Sequence, residues 1–500
     1  MPGKFEAGRN GRRRQTQPTR RPPRNGSSVP PRRRRRRRRR LNPNFVLLCL
    51  ILLAAVIFLI VTLADKPDDR SKETETSESA EVQETKGHSW FWERETEPPT
   101  EPPTEEPTAP SLVSTATISA TGDVLMHMPV VNSTYNSSTG KYDFTGIFQY
   151  LDDYAAEADY AVANLETTLA GTDNGYSYSG YPCFNCPDEI AEALKGAGFD
   201  MLLTANNHCY DTRTVGLKRT LQIASGLGFD TLGTHASADA AKYLVKDING
   251  IQVGMLCYSY ATPDDYPDRA SMNGILTGSD AAGLINYFDY DALDLFYSQV
   301  AGYMDDMEAA GAEAVVMYIH WGEEYQLKAN SNQIAIAQKL CDLGIDVIVG
   351  GHPHVVQPME LLTSAADPDH KTVCLYSMGN AVSNQRKTNM NLTTGHTEDG
   401  VLFSFTFAEY SDGTVVLDSV DILPTWVYMG TSNSGSRIYR ILPLDKDLSD
   451  WGAAFNIGSS TVDAAQSSWD RTMDLVGEGL NASNDFLAAR RQEILNPVIP

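Results

Sequence analysis

The run Gly344-Ile345-Asp346-Val347-Ile348-Val349-Gly350-Gly351-His352-Pro353-His354 constrains the fold more than any other stretch of these 500 residues. Three consecutive β-branched residues read as a strand covered on both faces, which belongs in a parallel sheet. The paired glycines let the backbone turn tightly where the strand stops, and Pro353 stiffens the gap between the two imidazoles. The carboxyl ends of such strands are where α/β proteins put ligand chemistry. A single His-x-His often arises by chance, so its weight depends on whether other ligand-type residues arrive at equivalent positions.

From Ser114 onward, strand-like and helix-like stretches alternate, as in an α/β layered fold. Strands are expected at 115–121, 160–164, 201–204, 253–259, 314–319, 346–349, 373–377, 401–407 and 414–423. Helices are expected at 187–196, 214–227, 287–310 and 331–343. Antiparallel pairing is expected toward the end, where connections shorten. Polar residues follow the strands: Gly122-Asp123 with His127; Asn164-Leu165-Glu166; Ala205-Asn206-Asn207-His208 with Asp211; His320-Trp321-Gly322-Glu323-Glu324; His352-Pro353-His354; and Ser377-Met378-Gly379-Asn380. Six elements thus aim Asp, Glu, Asn and His at one edge of one sheet. Strands commonly end in polar turns, so each group alone has a structural reading; jointly they point to a site. Imidazole with carboxylate and amide oxygen suits Mn, Fe or Zn rather than Ca or Mg, and no thiolate cluster competes. More than four candidates argues for two metals sharing a bridging carboxylate or water.

In this order, over about residues 114–410, these motifs resemble the CapA-type capsule synthesis proteins, whose domain is related to the calcineurin-like metallophosphoesterases. His354-Val355 with Gln357, and Gly322 with Glu324, belong to the same pattern. The resemblance implies a four-layer αββα sandwich, a divalent-metal site of two ions, and a role in building or exporting poly-γ-glutamate or a related surface polymer. Carried over residue by residue, it makes Asp123 and His354 ligands of one metal, Asn207, His320 and His352 ligands of the other, and Glu166 the bridge. His208 becomes the acid that protonates a leaving group and Asp211 its orienter; His127, Asn206, Trp321, Glu324, Gln357 and Asn380 become substrate or second-layer candidates. Leu125 stands where the wider superfamily has the histidine of Asp-x-His, Glu166 where it has a bridging aspartate, and Gly351 where many relatives carry another histidine.

The chain ends locate this domain. Residues 1–40 carry 17 Lys and Arg, nine of them in the block 32–40, against Glu6 alone. With a net charge of -23 overall, the remainder carries -39. Residues 45–63 form a stretch with no charge and only Thr62 polar, long enough as a helix for one membrane crossing at about 1.5 Å per residue. A cleaved signal peptide is the alternative, but the run exceeds a signal core and no small-x-small cleavage site clearly follows. The arginine block places the short tail in the cytoplasm and the rest outside; inner-leaflet lipid accounts for its charge without nucleic acid. Residues 65–112, rich in Pro, Glu and Thr, cannot build a core and read as an extended linker, interrupted by Trp90-Phe91-Trp92. The expected organisation is a basic cytoplasmic tail (1–40), a transmembrane anchor (41–64), the linker (65–112), a CapA-like domain (113–430) and a C-terminal helical extension (431–500) with an amphipathic helix over 461–493.

Cys183-Phe184-Asn185-Cys186 is a C-x-x-C pair with no second pair to complete a zinc site, leaving a local disulfide or two thiols. Cys209, Cys257, Cys341 and Cys374 read as buried thiols. Trp321 suits either packing or a substrate wall, Glu323 is expected in solvent, and His235 and His370 read as ordinary loop histidines. His396 is a candidate for a loop reaching over the site. Three functions fit: assembly of an anionic surface polymer together with other capsule-synthesis membrane proteins, a di-metal hydrolase of phosphoesters or amides, and a binding module that has lost its chemistry. The acidic outer region would repel a polyanion unless metals or a local basic patch offset it.

Overall fold

The computed structural model describes residues 109–173, 175–262 and 269–497. The basic tail, the apolar stretch 45–63 and nearly all of the linker lie outside the described residues, and among the described residues no helix is long and apolar enough to cross a membrane.

The chain builds one sheet, crosses to a second, and returns. It opens with β1 (Leu112–Val124), β2 (Tyr160–Asn164), β3 (Met201–Leu203) and β4 (Asp230–Leu232), with helices α1 (Glu189–Gly196) and α2 (Arg213–Gly226) between them. The second sheet takes β5 (Leu244–Ile248), β6 (Ile251–Tyr260), β7 (Tyr287–Phe288), β8 (Ala314–His320), β9 (Val347–Gly351), β10 (Met359–Thr363) and β11 (Lys371–Leu375). Helices α3 (Leu293–Ala309) and α4 (Ser331–Asp342) are its crossovers. The chain then re-enters the first sheet as β12 (Asn380–Val382), β13 (Asp399–Tyr410), β14 (Val415–Thr431) and β15 (Arg437–Pro443), and finishes in the 37-residue helix α5 (Ser459–Leu495).

The first sheet runs β15-β14-β13-β1-β2-β3-β4, with β12 also on β1; the second runs β7-β6-β8-β9-β11-β10, with β5 on β6. Strands β1 to β4, and β6, β8, β9 and β11, pair in parallel. Strands β13, β14 and β15 are antiparallel, as their short connections imply.

Alternation along the strands decides the layering. Ala116, Ile118 and Ala120 of β1 meet Val253, Met255 and Cys257 of β6 and Val316 and Tyr318 of β8 in one core between the sheets. The intervening residues face outward under helices: Ala161, Ala163 and Leu202 pack with Ile190 and Leu194 of α1, while Met317, Ile319 and Ile348 pack with Phe296, Val300, Ile336 and Leu340 of α3 and α4. The result is helix, sheet, sheet, helix.

Three expectations need correction. The ligand-bearing strands belong to two sheets rather than one, because the chain changes sheets after β4. The region expected as a helical extension first supplies β15, whose alternating Tyr439 and Ile441 are buried under the first sheet's outer face. Residues 287–310 are not one helix: Tyr287-Phe288 pair with β6 and the helix starts at Leu293. Cys183 and Cys186 are separate thiols, and Cys209, Cys257, Cys341 and Cys374 are buried.

Candidate metal centre

Because β1, β2 and β3 run parallel to one another, and β8 and β9 likewise, their carboxyl ends deliver side chains to a common place. Asp123 lies next to the last residue of β1, Asn164 ends β2 with Glu166 two residues on, and Asn207 follows β3; His320 ends β8 and His352 follows β9. All are buried, as is His354. Ligand atoms of Glu166, His320 and His352 lie within 4.8 Å of one another, and so do those of Asp123, Glu166 and His354. Glu166 is common to both groups.

Individual contacts tighten this picture. His354 Nδ1 donates to Asp123 Oδ2 at 2.9 Å and stands 4.0 Å from Glu166 Oε2. His320 Nε2 lies 2.8 Å from Asn207 Oδ1 and 3.3 Å from Glu166 Oε1. Neither oxygen of Glu166, fully buried, has a hydrogen-bond partner, and His352 Nδ1 has none either. A buried ionised carboxylate without a partner is expensive. Burial, followed by the neighbouring Asp123 charge, accordingly pushes the Glu166 carboxyl well above its ordinary range. Burial also raises Asp123, but the hydrogen bond and charge of His354, the charge of His320 and the Asn164 amide outweigh it and leave that carboxyl lowered. Burial pushes His320 down to about 3 and His352 well below its usual value. Neutral imidazoles and unpaired carboxylate oxygens in contact are what a divalent cation requires of its ligands. The donor set therefore fits metal, with oxygen and nitrogen ligands and no sulfur.

The backbone is strained at this point. His352 has φ 98° and His354 φ 56°, left-handed values that side chains beyond glycine and asparagine seldom adopt. A Cβ on Gly351 would lie 3.2 Å from Asp123 Oδ1 and 3.5 Å from His320 Nδ1, so this residue forms the floor between the ligands.

His208 stands beside the ligands with Nδ1 2.8 Å from Asp211 Oδ2. The same oxygen accepts the Phe184 amide at 2.6 Å, and the Phe184 ring packs edge-on against His208 at 4.6 Å between centroids. Asn273 Nδ2 is 3.4 Å from His208 Nδ1, but a nitrogen that donates to a carboxylate cannot also accept; the shorter contact decides, and the Asn273 amide goes to Pro182 O at 3.0 Å. His208 therefore directs Nε2 away from Asp211.

The other candidates divide. Asn206 donates to Asn164 Oδ1 and Leu165 O, holding the turn that carries Glu166. Asn380 donates to His354 O, Gln385 Oε1 and Thr397 O, fixing the His354 backbone. His127 joins neither ligand group: it packs against Phe184 at 5.2 Å, with Nδ1 3.3 Å from both Leu125 O and the Asn384 amide, and burial lowers it to about 4. Trp321 is fully buried in the outer core of the second sheet, with Nε1 donating to Tyr376 O, so it is packing and not a substrate wall. Gln357 is also buried; it donates to Gln326 O and Lys328 O and accepts from Gln333, clamping the loop after β8 onto α4, and does not face a substrate. His396 joins neither ligand group: it lies 3.8 Å from Asp399 of β13, a carboxylate held in turn by Arg471 and Ser468 of α5. Glu323 and Glu324 are exposed, His235 bonds Asn286, and His370 bonds Ile345 O.

Two neighbours of the centre, Tyr260 and Tyr325, were not anticipated, and Asn164 was read only as part of its strand-end motif. Asn164 donates to Asp123 Oδ1 at 2.7 Å. Tyr260, at the end of β6, lies 4.8 Å from His352 between ring centroids. Tyr325 lies 6.2 Å from His354.

Fold and centre together define a two-sheet α/β protein with a buried, divalent-cation type of ligand set at its strand ends. A model of the family described as "Bacterial capsule synthesis protein PGA_cap" matches residues 117–385, more than half of the chain, and the chain belongs to that family. It is 26% identical over 338 residues to the capsule biosynthesis protein CapA of Bacillus anthracis, covering 66% of this chain and 73% of the relative. It is 26% identical over 307 residues to the PGA biosynthesis protein CapA of Bacillus subtilis, covering 61% and 71%. A solved Staphylococcus aureus structure described as a 5'-nucleotidase in complex with α-ketoglutarate superposes with a TM-score of 0.37 at 13% identity, covering 71% of this chain and 58% of the other.

Proposed function

We propose that this chain is held in a bacterial membrane by its apolar stretch 45–63, with the folded domain outside the cell, and that it processes poly-γ-glutamate-type polymer or its precursor there. The centre in this reading is of metallophosphoesterase type, with two divalent ions. Asp123 and His354 would hold one, Asn207, His320 and His352 would hold the other, and Glu166 would serve both. The observation that carries the reading is the pair of unpartnered, fully buried Glu166 oxygens, each within reach of a different ligand group. The polymer comes from the names of the relatives and from the family.

When bound, the cations supply Lewis-acid polarisation of the scissile group and of attacking water. The chain's own residues do the rest. Asp211 holds the Nδ1 proton of His208, so that Nε2, when protonated, can release its proton to the departing atom. The Phe184 amide fixes Asp211 in turn. Cations at the centre also answer the electrostatic objection, since they offset the acidic surface where an anionic chain must approach. In a cell the domain would work alongside other membrane proteins of polymer synthesis.

A second reading, a di-metal hydrolase of phosphoesters or amides unconnected with capsule, is favoured by the intact His208–Asp211 pair. One experiment separates the two. The whole chain, purified in mild detergent, is analysed for bound Mn, Fe and Zn and assayed on bis(p-nitrophenyl) phosphate and γ-glutamyl-p-nitroanilide, with His208→Ala in parallel. Amide turnover lost in His208→Ala, together with loss of surface polymer on gene deletion, supports the first reading; phosphodiester turnover without a polymer phenotype supports the second. Failure to take up any of the three metals overturns both and leaves a polymer-binding module.

A further inference from the structure

Tyr325 has φ 67° in the loop after β8. No glycine or asparagine relieves that conformation, so surrounding contacts must impose it. They form a closed circuit. The Tyr325 amide donates to Pro353 O at 2.8 Å, binding this loop to the strained turn that carries His352 and His354. At the other end of the residue, Gln385 Nε2 donates to the phenol oxygen at 3.2 Å. Gln385 Oε1 accepts from Asn380 Nδ2 at 3.1 Å, and Asn380 Nδ2 also reaches His354 O at 3.2 Å. The Asn380 contact fixes which end of the Gln385 amide faces Tyr325.

The orientation has a chemical consequence. A phenol oxygen that accepts from an amide N–H keeps its own hydrogen to give elsewhere. The exposed Glu324 carboxylate lies near enough for its charge to be felt at Tyr325, Glu166 and Tyr260. A phenol keeps its proton at neutral pH and so is able to donate. The ring is half-buried over His354. An O–H held by two anchored loops, beside the ligands yet reachable from solvent, is placed for an incoming group.

We propose that Tyr325 is a catalytic hydrogen-bond donor, whose O–H is given to the substrate oxygen that gains negative charge on the His354 side of the centre. The assignment rests on the two-metal reading above. It complements His208, which serves the departing atom, and it selects for substrates with an oxyanion-forming oxygen, a phosphoryl or carbonyl group.

The test compares Tyr325→Phe with the unaltered chain, manganese-loaded and in the same detergent. The substitution keeps the ring and removes only the donor. On whichever p-nitrophenyl or p-nitroanilide probe the parent turns over, kcat is expected to fall about a hundredfold, with KM, bound manganese and thermal midpoint close to the parent's. A kcat within about twofold of the parent would show the phenol to be only a loop anchor and overturn the proposal. Should the parent take up manganese but turn over neither probe, which counts against hydrolysis, the donor is read from orthovanadate affinity: about tenfold weaker binding by Tyr325→Phe supports it, and equal affinity or no vanadate binding by the parent overturns it. A parent that takes up no manganese overturns both this assignment and the metal reading.

Discussion

His320 Nε2 and Glu166 Oε1 stand 3.3 Å apart, each buried and each brought by a different sheet. Neither Glu166 oxygen has a hydrogen-bond partner. Glu166→Gln should therefore act in two directions. Without metal it relieves an isolated buried carboxylate, and the thermal midpoint should hold or rise. With manganese at roughly a hundred times its dissociation constant, the parent should gain about 2.7 kcal/mol, and the variant should lose most of that gain. Scanning calorimetry with and without metal checks both directions; a midpoint in Glu166→Gln that follows manganese as the parent's does would contradict the bridging role.

The buried histidines set a pH dependence for the metal-free protein. His320 is lowered to about 3 and His127 to about 4 by burial, and His352 is lowered as well. Below an ordinary histidine value of 6.5 the unfolded chain therefore binds protons that the folded chain refuses, and stability is lost as pH falls from there. Glu166, raised from 4.5, acts in the opposite sense, losing stability as pH rises through its folded range. His235 is lowered to about 4 and His396 is lowered as well, so five imidazoles oppose the raised carboxyls of Glu166, Asp346, Asp399 and Asp421, and the net is a fall on the acid side of about 1.4 kcal/mol per pH unit for each unbalanced group. Urea unfolding of the chelator-treated protein should show a maximum near pH ~6.5, with a shallow decline above it; monotonic stabilisation toward pH 4.5 would refute this balance.

His208 and Asp211 should separate chemistry from metal binding. His208→Asn is expected to lower turnover about 10²- to 10⁴-fold while metal content stays near the parent's. Asp211→Asn should lose less, because an amide oxygen in place of Oδ2 can still accept both the His208 Nδ1–H and the Phe184 amide. Metal analysis beside steady-state kinetics checks this, and loss of bound metal in His208→Asn would recast that residue as a ligand.

Away from the centre, Arg471 of α5 forks onto Asp399 with contacts of 2.7 and 2.8 Å, and Ser468 adds a third at 2.6 Å. Asp399 is almost fully buried, and burial raises its carboxyl against these contacts. Arg471→Ala strips the charge partner from a buried acid and should cost about 3 kcal/mol. Arg471→Lys should recover part of it, since a single ammonium cannot make the fork. Denaturant titration measures both; a loss under about 0.5 kcal/mol would place this pair among surface bridges.

What the sequence disclosed follows the physics of each signal. Strand ends were legible because β-branched runs stop at glycine or polar turns; the choice of Asp123, Glu166, Asn207, His320, His352 and His354 among the polar residues there came from the resemblance to the CapA-type proteins. Membership of a sheet was not, because it depends on where the chain crosses, and nothing in residues 233–243 announces that crossing. Trp321 was ambiguous although period-two alternation points it opposite His320, into the core. Gln357 looked like a site residue because it sits three beyond His354, yet its neighbours belong to another loop. Tyr260 was missed because the strand at 253–259 ends in no polar motif. Tyr325 was missed because a left-handed tyrosine carries no sequence mark: tertiary hydrogen bonds alone impose it.

Strand β1 occupies the middle of its sheet, between β2, some 40 residues later, and β13, close to 290 residues later. During synthesis, then, the long central strand has one edge open until more than half of the domain has been made. An open apolar edge is a template for wrong pairing. A cell making this protein must keep that edge from other chains until Asp399–Tyr410 emerges, and crowding at the site of synthesis should reduce yield far more than it disturbs the finished molecule.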